Sequence, residues 1–253
     1  MNFHELTEQD RLLLRRFEDL AQEADKYKSA QFTQFCDPHE GMVFQKFAAV
    51  PSWVNTMAWG GYGESERSVV GFFPDFLEPE PALFPVSALR ISDLRGKSHR
   101  EVLGSVLGLG ISRGVTGDII IDGDTAVLFA LEQVEDFLLM NLERIGRDRV
   151  SVERMAPEEV HIPPKAFEEI SGTVASLRLD CVLGLGARLS RAKACEAVAS
   201  GLVQVNWSEA DNPSMTVAEG DVISLRRFGR MQVAALLGES KKGRTRVVIK
   251  KYI

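Results

Sequence analysis

The chain has 253 residues, 45% of them hydrophobic, which suits one or two packed domains of ordinary size. No apolar run approaches the roughly 20 residues that span a bilayer, and the start lacks the basic and apolar regions of a secretory signal, so we expect a cytoplasmic protein that binds no membrane. The net charge of −6 would argue against a polyanionic partner if the charges were evenly mixed, and three distant cysteines without CxxC spacing indicate neither a disulfide framework nor a zinc site.

The first 51 residues predict a small helical unit. Thr7 can cap a first helix with Asp10 reaching back, and apolar residues around Phe17 recur at the spacing of one helical face. Asp37, followed by proline, predicts the start of a second helix. We therefore assign residues 1–51 to an N-terminal helical unit that acts as a scaffold.

Residues 52–156 predict an α+β domain. Strand pairs that alternate with two helices favour a sandwich with both helices on one face of an antiparallel sheet, as in ferredoxin-like and RNA-recognition-motif folds. A stretch rich in proline and glutamate, residues 157–173, follows as a linker. The predicted elements are two hairpins (54–73 and 118–130), strands at 84–91 and 149–154, and helices at 98–109 and 132–145.

The sequence carries no local signature of catalysis or nucleotide binding. The Gly-x-Gly pairs that begin at Gly108 and Gly184 lie at helix ends and lack a third glycine, and no P-loop motif exists. The four histidines are scattered. His99, beside Arg100 at a helix start, could bind phosphate, but a surface role in the first turn is favoured by composition. We expect no catalytic residue, no cofactor and no metal.

Residues 174–253 predict a compact basic module. From Arg178 onward the chain has 13 Lys or Arg and 7 Asp or Glu, whereas residues 1–177 have 17 basic and 29 acidic side chains. Asp180 can cap a short helix and Ser190 a second helix that ends before Gly201, and strands follow at 222–228, 232–237 and 245–250. The segregated positive charge predicts a surface that concentrates phosphates.

The positive side chains of this module lie at helix starts and turns, where backbone amides already favour phosphate. A solvated helix start is an equally good interpretation of any one of them, but the collective pattern indicates RNA binding. The candidate RNA-binding residues are Arg178, Arg188, Ser190, Arg191, Lys193, Arg227, Arg230, Lys241, Lys242 and Arg244.

Four ordered blocks of the module resemble the RNA-binding domain named after ribosomal small-subunit protein four, the S-four domain. The resemblance implies a helix pair packed on a small sheet (the alpha-L arrangement), whose basic helix face binds structured RNA by shape and phosphate contacts. The blocks are Arg178-Leu179-Asp180, Ser190-Arg191-Ala192-Lys193-Ala194, Gly201-Leu202-Val203-Gln204-Val205-Asn206 and Gly220-Asp221-Val222-Ile223, with Pro213 before the last.

Further blocks resemble the bacterial YlmH family over nearly the whole chain. Arg227 departs from the family, which tends to have glycine before Phe-Gly-Arg. The matching blocks are Gln31-Phe32-Thr33-Gln34-Phe35, Asp37-Pro38, Gly60-Gly61-Tyr62 with Glu66-Arg67, Ser98-His99-Arg100, Leu107-Gly108-Leu109-Gly110-Ile111 with Arg113, Gly117-Asp118-Ile119, Phe228-Gly229-Arg230 and Lys241-Lys242-Gly243-Arg244.

This resemblance implies a central RNA-recognition-motif-like domain followed by an S-four domain. It also implies a non-catalytic, monomeric protein that binds ribosomal RNA and adjoining tRNA on the large ribosomal subunit. Its implied task is to stabilise peptidyl-tRNA in ribosome-associated quality control.

Two alternatives from other classes stay open at the level of sequence. S-four domains also target pseudouridine synthases and RNA methyltransferases, although in those enzymes the module usually precedes a catalytic domain. A protein-interaction adaptor could use the acidic N-terminal part, since relatives are linked to cell division and to photosystem II.

Overall fold

The computed structural model describes residues 6–156, 159–163, 166–240 and 243–252, and the chain forms two compact units, Met1–Pro163 and Pro164–Ile253. The helices are α1 (Glu8–Tyr27), α2 (Pro38–Phe47), α3 (His99–Gly108), α4 (Glu135–Asn141), α5 (Leu179–Gly186) and α6 (Arg191–Ala199). The strands are β1 (Gln31–Cys36), β2 (Val54–Trp59), β3 (Ser68–Pro74), β4 (Val86–Ser92), β5 (Thr116–Asp122), β6 (Thr125–Leu131), β7 (Arg144–Ile145), β8 (Asp148–Arg149), β9 (Ser151–Met155), β10 (Phe167–Val174), β11 (Val203–Val205), β12 (Ser208–Glu209), β13 (Val222–Leu225), β14 (Gly229–Glu239) and β15 (Thr245–Tyr252).

Local capping chemistry starts four of the helices, as the sequence predicts. The side chains of Thr7, Asp37 and Ser98 each accept a hydrogen bond from the backbone three residues on, and the acid there bonds back to the cap, which completes a capping box. Ser190 accepts from the backbone N–H of Lys193 at the start of α6. These bonds satisfy amides that a helix leaves unpaired in its first turn.

The order of the central strands confirms the ferredoxin-like prediction. The chain runs β4, α3, β5, β6, α4, β9, and the four strands form an antiparallel sheet in the order β5-β6-β4-β9. Val102 and Val106 of α3 and Leu138 of α4 pack with Leu89 and Leu128 of the sheet in one fully buried cluster. Both helices therefore cover the same face.

The N-terminal unit contains a strand that the sequence did not indicate. β1 lies between α1 and α2 and pairs with β3, so the three-stranded sheet β1-β3-β2 joins the two N-terminal helices to the first predicted hairpin. The boundary placed at residue 51 thus falls between segments that pair. A six-residue strand with two glutamines and a register shift, whose partner lies more than 30 residues along the chain, has a weak local signal.

The three-stranded sheet separates two cores of the first unit. Val70 and Phe72 of β3 pack with α1 and α2, while Val69 and Phe73 face Phe129 of the four-stranded sheet. The alternation of side chains along a strand places neighbouring residues on opposite faces. The unit is therefore layered as helices, sheet, sheet, helices.

Two further expectations need correction. The helix predicted at 132–145 is limited to α4, because the chain turns at Leu142 and then forms the short β7–β8 hairpin. The linker predicted at 157–173 is strand from Phe167 onward, and all eight residues of β10 pair with β15. Clustered prolines and glutamates before this strand concealed it, since its pairing partner lies about 80 residues later in the sequence.

The second unit is a six-stranded antiparallel sheet with α5 and α6 on one face. Its strand order is β10-β15-β14-β13-β11-β12. Leu179 and Val182 of α5 and Val198 of α6 pack on Met231 and Ile249, all of them fully or almost fully buried. A Cβ on Gly186 would lie 2.4 Å from the Met231 sulfur, so glycine here lets α5 approach the sheet closely.

Candidate nucleic-acid interface

A buried carboxylate joins two of the predicted RNA-binding arginines at the helix starts. Asp180 is wholly buried, and it accepts from Nε and Nη2 of Arg178 at 3.1 and 2.8 Å and from Nε of Arg191 at 3.0 Å. The predicted cap at Asp180 is wrong, because the N-cap of α5 is Arg178 and makes no side-chain capping bond. Asp180 instead fixes the start of α5 to the start of α6.

The ion pair keeps both partners charged. Hydrogen bonding to Arg178 holds the pKa of Asp180 well below its usual range despite the opposing effect of burial, and Asp180 raises the pKa of Arg178. The Arg178 side chain is 34% exposed and that of Arg191 is 67% exposed. Because a guanidinium carries five N–H donors, Arg191 bonds the carboxylate through one and keeps others for a phosphate.

The remaining predicted residues of this region surround the same helix start. Lys193 is exposed in the first turn of α6, without an ion-pair partner among the residues that the structure describes. Arg188 adopts a left-handed backbone, φ 55°, in the turn between the helices, where its exposed guanidinium donates to Glu168 at 2.6 Å. Together with Ser190 these residues place cations beside backbone amides, an arrangement suited to phosphate.

The other predicted cations lie elsewhere on the second unit. Arg227 is exposed at the β13–β14 turn with φ 69°, where it joins Leu202, Arg226 and Phe228 around an open groove. Arg230 lies over the Tyr252 ring. Arg244 donates to the hydroxyl and carbonyl of Thr173 at 3.1 and 2.9 Å. Lys241 and Lys242 lie outside the described residues.

The first unit gathers its sequence motifs into a polar network. The Asp118 carboxylate accepts from the Tyr62 hydroxyl at 2.9 Å and from the backbone of Glu66 and Arg67 at 2.7 and 3.2 Å. Burial and Asp118 raise the pKa of Tyr62, so its hydroxyl remains a donor. The Arg67 guanidinium bonds three backbone carbonyls, of which Phe35 is the nearest at 2.8 Å. This network is structural, because it ties the loop after β2 to β1 and β5.

His99 fits the structural alternative better than the phosphate-binding one. It is exposed in the first turn of α3, and partial desolvation and then nearby Arg113 lower its pKa, so the ring is neutral near pH 7. A neutral imidazole adds no positive charge for an anion.

The helix-free face of the central sheet is occupied. Phe129 on this face is buried and stacks on Tyr62 with ring centroids 5.2 Å apart. Phe35, Phe73 and Phe84 complete the cluster. In RNA-recognition motifs this face carries aromatic rings on which bases stack. In this chain the three-stranded sheet covers it, so bases have no access to these rings.

Two negative findings apply to the parts of the chain that the structure describes. None of the helices there is long and apolar enough to cross a membrane. Within the same ranges, no group of three or more His, Cys, Asp or Glu side chains is placed to hold a metal ion.

Comparison with known proteins decides the family. Residues 92–159 match a model described as a putative RNA-binding domain in YlmH, and residues 177–223 match the S4 domain, the S-four domain expected from the sequence. The ribosome-associated protein quality control protein P2 of Bacillus subtilis (strain 168) is 33% identical over 244 residues, which cover 94% of this chain and 95% of that protein. The chain belongs to the YlmH family.

A solved member of the YlmH family shows a similar fold. The cell division protein ylmH from Streptococcus pneumoniae matches with a TM-score of 0.52 and 24% identity, and the match covers 64% of this chain and 100% of that chain. The family assignment and the two domain matches establish a chain with RNA-binding domains.

The bounds of the S-four match divide the predicted site residues. Arg178, Arg188, Ser190, Arg191 and Lys193 lie inside residues 177–223, and the others lie beyond them. The sequence missed Asp180 as the residue that holds two of these arginines together. The spacing gives a partial signal, since an acid two residues after one arginine and eleven before another can meet both at adjoining helix starts.

Proposed function

We propose that this chain is a non-catalytic protein that binds ribosomal RNA and adjoining tRNA on the large ribosomal subunit, and that it stabilises peptidyl-tRNA in ribosome-associated quality control. The observation that carries the proposal is the pair of helix starts joined by Asp180, with Arg178, Arg191 and Lys193 around them. The printed name of the Bacillus subtilis relative, a ribosome-associated quality control protein, supports the same setting.

The geometry favours a folded RNA backbone as the ligand of this surface. Two helix N-termini and several cations contact phosphates without reading bases, and such contacts position a protein on RNA by shape. The site consists of guanidinium, ammonium and hydroxyl groups that bind phosphate through hydrogen bonds and charge. This composition supports a surface that clamps an RNA backbone at the starts of α5 and α6 (the helix-start clamp) rather than an RNA-modifying enzyme.

The ionic strength of the buffer tests the electrostatic part of the proposal. Four phosphate contacts, by Arg178, Arg188, Arg191 and Lys193, predict a slope of about −3 to −4 in the logarithm of affinity against that of salt. Affinity for purified large subunits should then fall about a hundredfold between about 50 and 200 mM salt. An affinity that does not change with salt concentration would contradict phosphate binding by the helix-start clamp.

A charge reversal at Lys193 tests the site itself. Lys193→Glu is preferable to a change at Arg191, because Arg191 also holds buried Asp180 and its loss would disturb the fold. We expect Lys193→Glu to weaken co-sedimentation with large subunits at least tenfold and to reduce the salt slope by about 1 or more. Arg15→Glu, at an exposed position of α1, makes the same charge change in the first unit and should bind as the unchanged protein does.

The alternatives predict different results. If the Lys193→Glu and Arg15→Glu proteins associate equally well with large subunits, the helix-start clamp is not the surface that contacts the ribosome. Formation of pseudouridine or transfer of a methyl group from S-adenosylmethionine by the purified protein would establish the enzyme class. Association that survives nuclease treatment unchanged would favour a protein-interaction adaptor.

A further inference from the structure

The sheet of the second unit carries two aromatic rings on the face opposite its helices. Met231, Val233 and Ile249 point into the core under α5 and α6, so the residues that alternate with them lie on the outer face. Phe167 is paired with Tyr252, and Met231 with Lys251. This register aligns Phe167 of β10, Tyr252 of β15 and Arg230 of β14 in one row across three strands.

The rings are accompanied by cations at short distance. The centroids of Phe167 and Tyr252 are 5.0 Å apart at an interplanar angle of 63°. The guanidinium of Arg230 lies 5.3 Å from the Tyr252 centroid, and the ammonium of Lys250 lies 5.6 Å from that of Phe167. These distances are within the range of cation–π attraction, which holds each cation over the face of a ring.

The Phe167 ring is not used as core. It is 40% exposed, whereas Phe129 on the helix-free face of the four-stranded sheet is 1% exposed. A cross-strand aromatic pair stabilises two strand ends by itself, but that role requires neither exposure nor flanking cations. Glu169 lies opposite Lys250 in the next row, and Arg230 lies beside Tyr252 in the row of the rings.

We propose that this row is a binding site for unpaired nucleotides of RNA. Bases stack on Phe167 and Tyr252, and the adjoining phosphates contact Arg230 and Lys250. Exposed aromatic rings with interleaved cations are the arrangement by which sheets hold single strands irrespective of sequence. The site is independent of the helix-start clamp, because the sheet lies between the two, and it adds a single-stranded ligand to the folded backbone proposed there.

Removal of the rings from the full-length protein tests the site. The probe is a fluorescently labelled uridine decamer, and the readout is fluorescence anisotropy. Phe167→Leu and Tyr252→Leu keep apolar bulk in the strands but cannot stack, and each should weaken binding about tenfold. The matched variants Phe167→Tyr and Tyr252→Phe keep a ring and should bind within about twofold of the unchanged protein.

Two controls make the result decisive. Equal melting curves for the Leu and the ring-preserving variants show that a loss of binding is not a loss of fold. Lys193→Glu should keep its affinity for the decamer and weaken its association with large subunits, which separates this site from the helix-start clamp. The proposal is overturned if a variant that combines Phe167→Leu and Tyr252→Leu binds the decamer as tightly as the unchanged protein. It is also overturned if the unchanged protein binds no decamer, the result expected if this face serves a protein partner.

Discussion

Replacement of Asp180 by asparagine removes a buried charge that holds two arginines. The change keeps the volume of the side chain but removes the carboxylate that accepts three hydrogen bonds from Arg178 and Arg191. Loss of one partner of a buried pair costs about 3–5 kcal/mol. Both arginines reach solvent and recover part of their hydration, so we expect a loss of about 2–3 kcal/mol in the unfolding free energy of the second unit.

The dependence on pH follows from the direction of the pKa shift. Asp180 has a lowered pKa in the folded chain and an ordinary one, about 4, when unfolded. Its stabilising contribution is therefore complete above about pH 5 and is lost as the pH falls toward the lowered value. The free-energy difference between Asp180→Asn and the unchanged protein should stay constant from about pH 8 to 5 and shrink below about pH 4.

Native-state hydrogen exchange of peptides from residues 178–200 in the full-length protein measures this effect locally. Asp211→Asn, which removes the same charge at an exposed position of the same unit, is the control and should be near neutral. Association with large subunits should also weaken in Asp180→Asn, because Arg178 and Arg191 are no longer fixed. Equal protection of these peptides in the two variants would refute the role of Asp180 as an anchor.

The first unit provides two more tests by thermal unfolding. Gly61→Ala should lower the free energy of unfolding by more than about 2 kcal/mol, because Gly61 has φ +101° and an added Cβ would lie 2.2 Å from Cδ1 of Phe129. The control is Gly63→Ala, which should be near neutral because an added Cβ there has nothing within 4 Å. Equal melting temperatures for the two variants would contradict the close packing at Gly61. Arg67→Met should cost about 2–4 kcal/mol, since three backbone carbonyls lose a charged donor, whereas Arg147→Met at an exposed position should have little effect. An Arg67→Met protein as stable as the Arg147→Met protein would show that solvent satisfies those carbonyls.

The features that the sequence predicts well are those that depend on contacts between residues close together in the chain. Thr7, Asp37, Ser98 and Ser190 cap their helices because a cap requires only its own first turn. The hairpin of β5 and β6 is likewise closed by a short turn between Asp122 and Thr125. The strands β1 and β10 were missed because their partners lie far along the chain, and pairing over such distances leaves little trace in either segment.

The same distinction governs the site. Positive residues near helix starts can be recognised in the sequence, and for this reason Arg178, Arg191 and Lys193 are among the predicted RNA-binding residues. Asp180 could not be assigned its role, because a local rule makes an acid at a helix start a cap and only the meeting of α5 and α6 makes it an anchor. Phe167 was placed in a linker, so its pairing with Tyr252 became visible only in the folded sheet.

The four-stranded sheet of the first unit and the six-stranded sheet of the second unit use their aromatic residues in opposite ways. The central domain has the strand order of an RNA-recognition motif, yet its helix-free face is filled by the rings of Phe129 and Tyr62 and is covered by another sheet. Stacking of bases requires an exposed ring, so the fold alone does not transfer this mode of binding to the domain. Exposed Phe167, with its neighbouring cations, meets that requirement in the second unit. Contacts of the central domain with RNA would therefore have to come from its helices or loops.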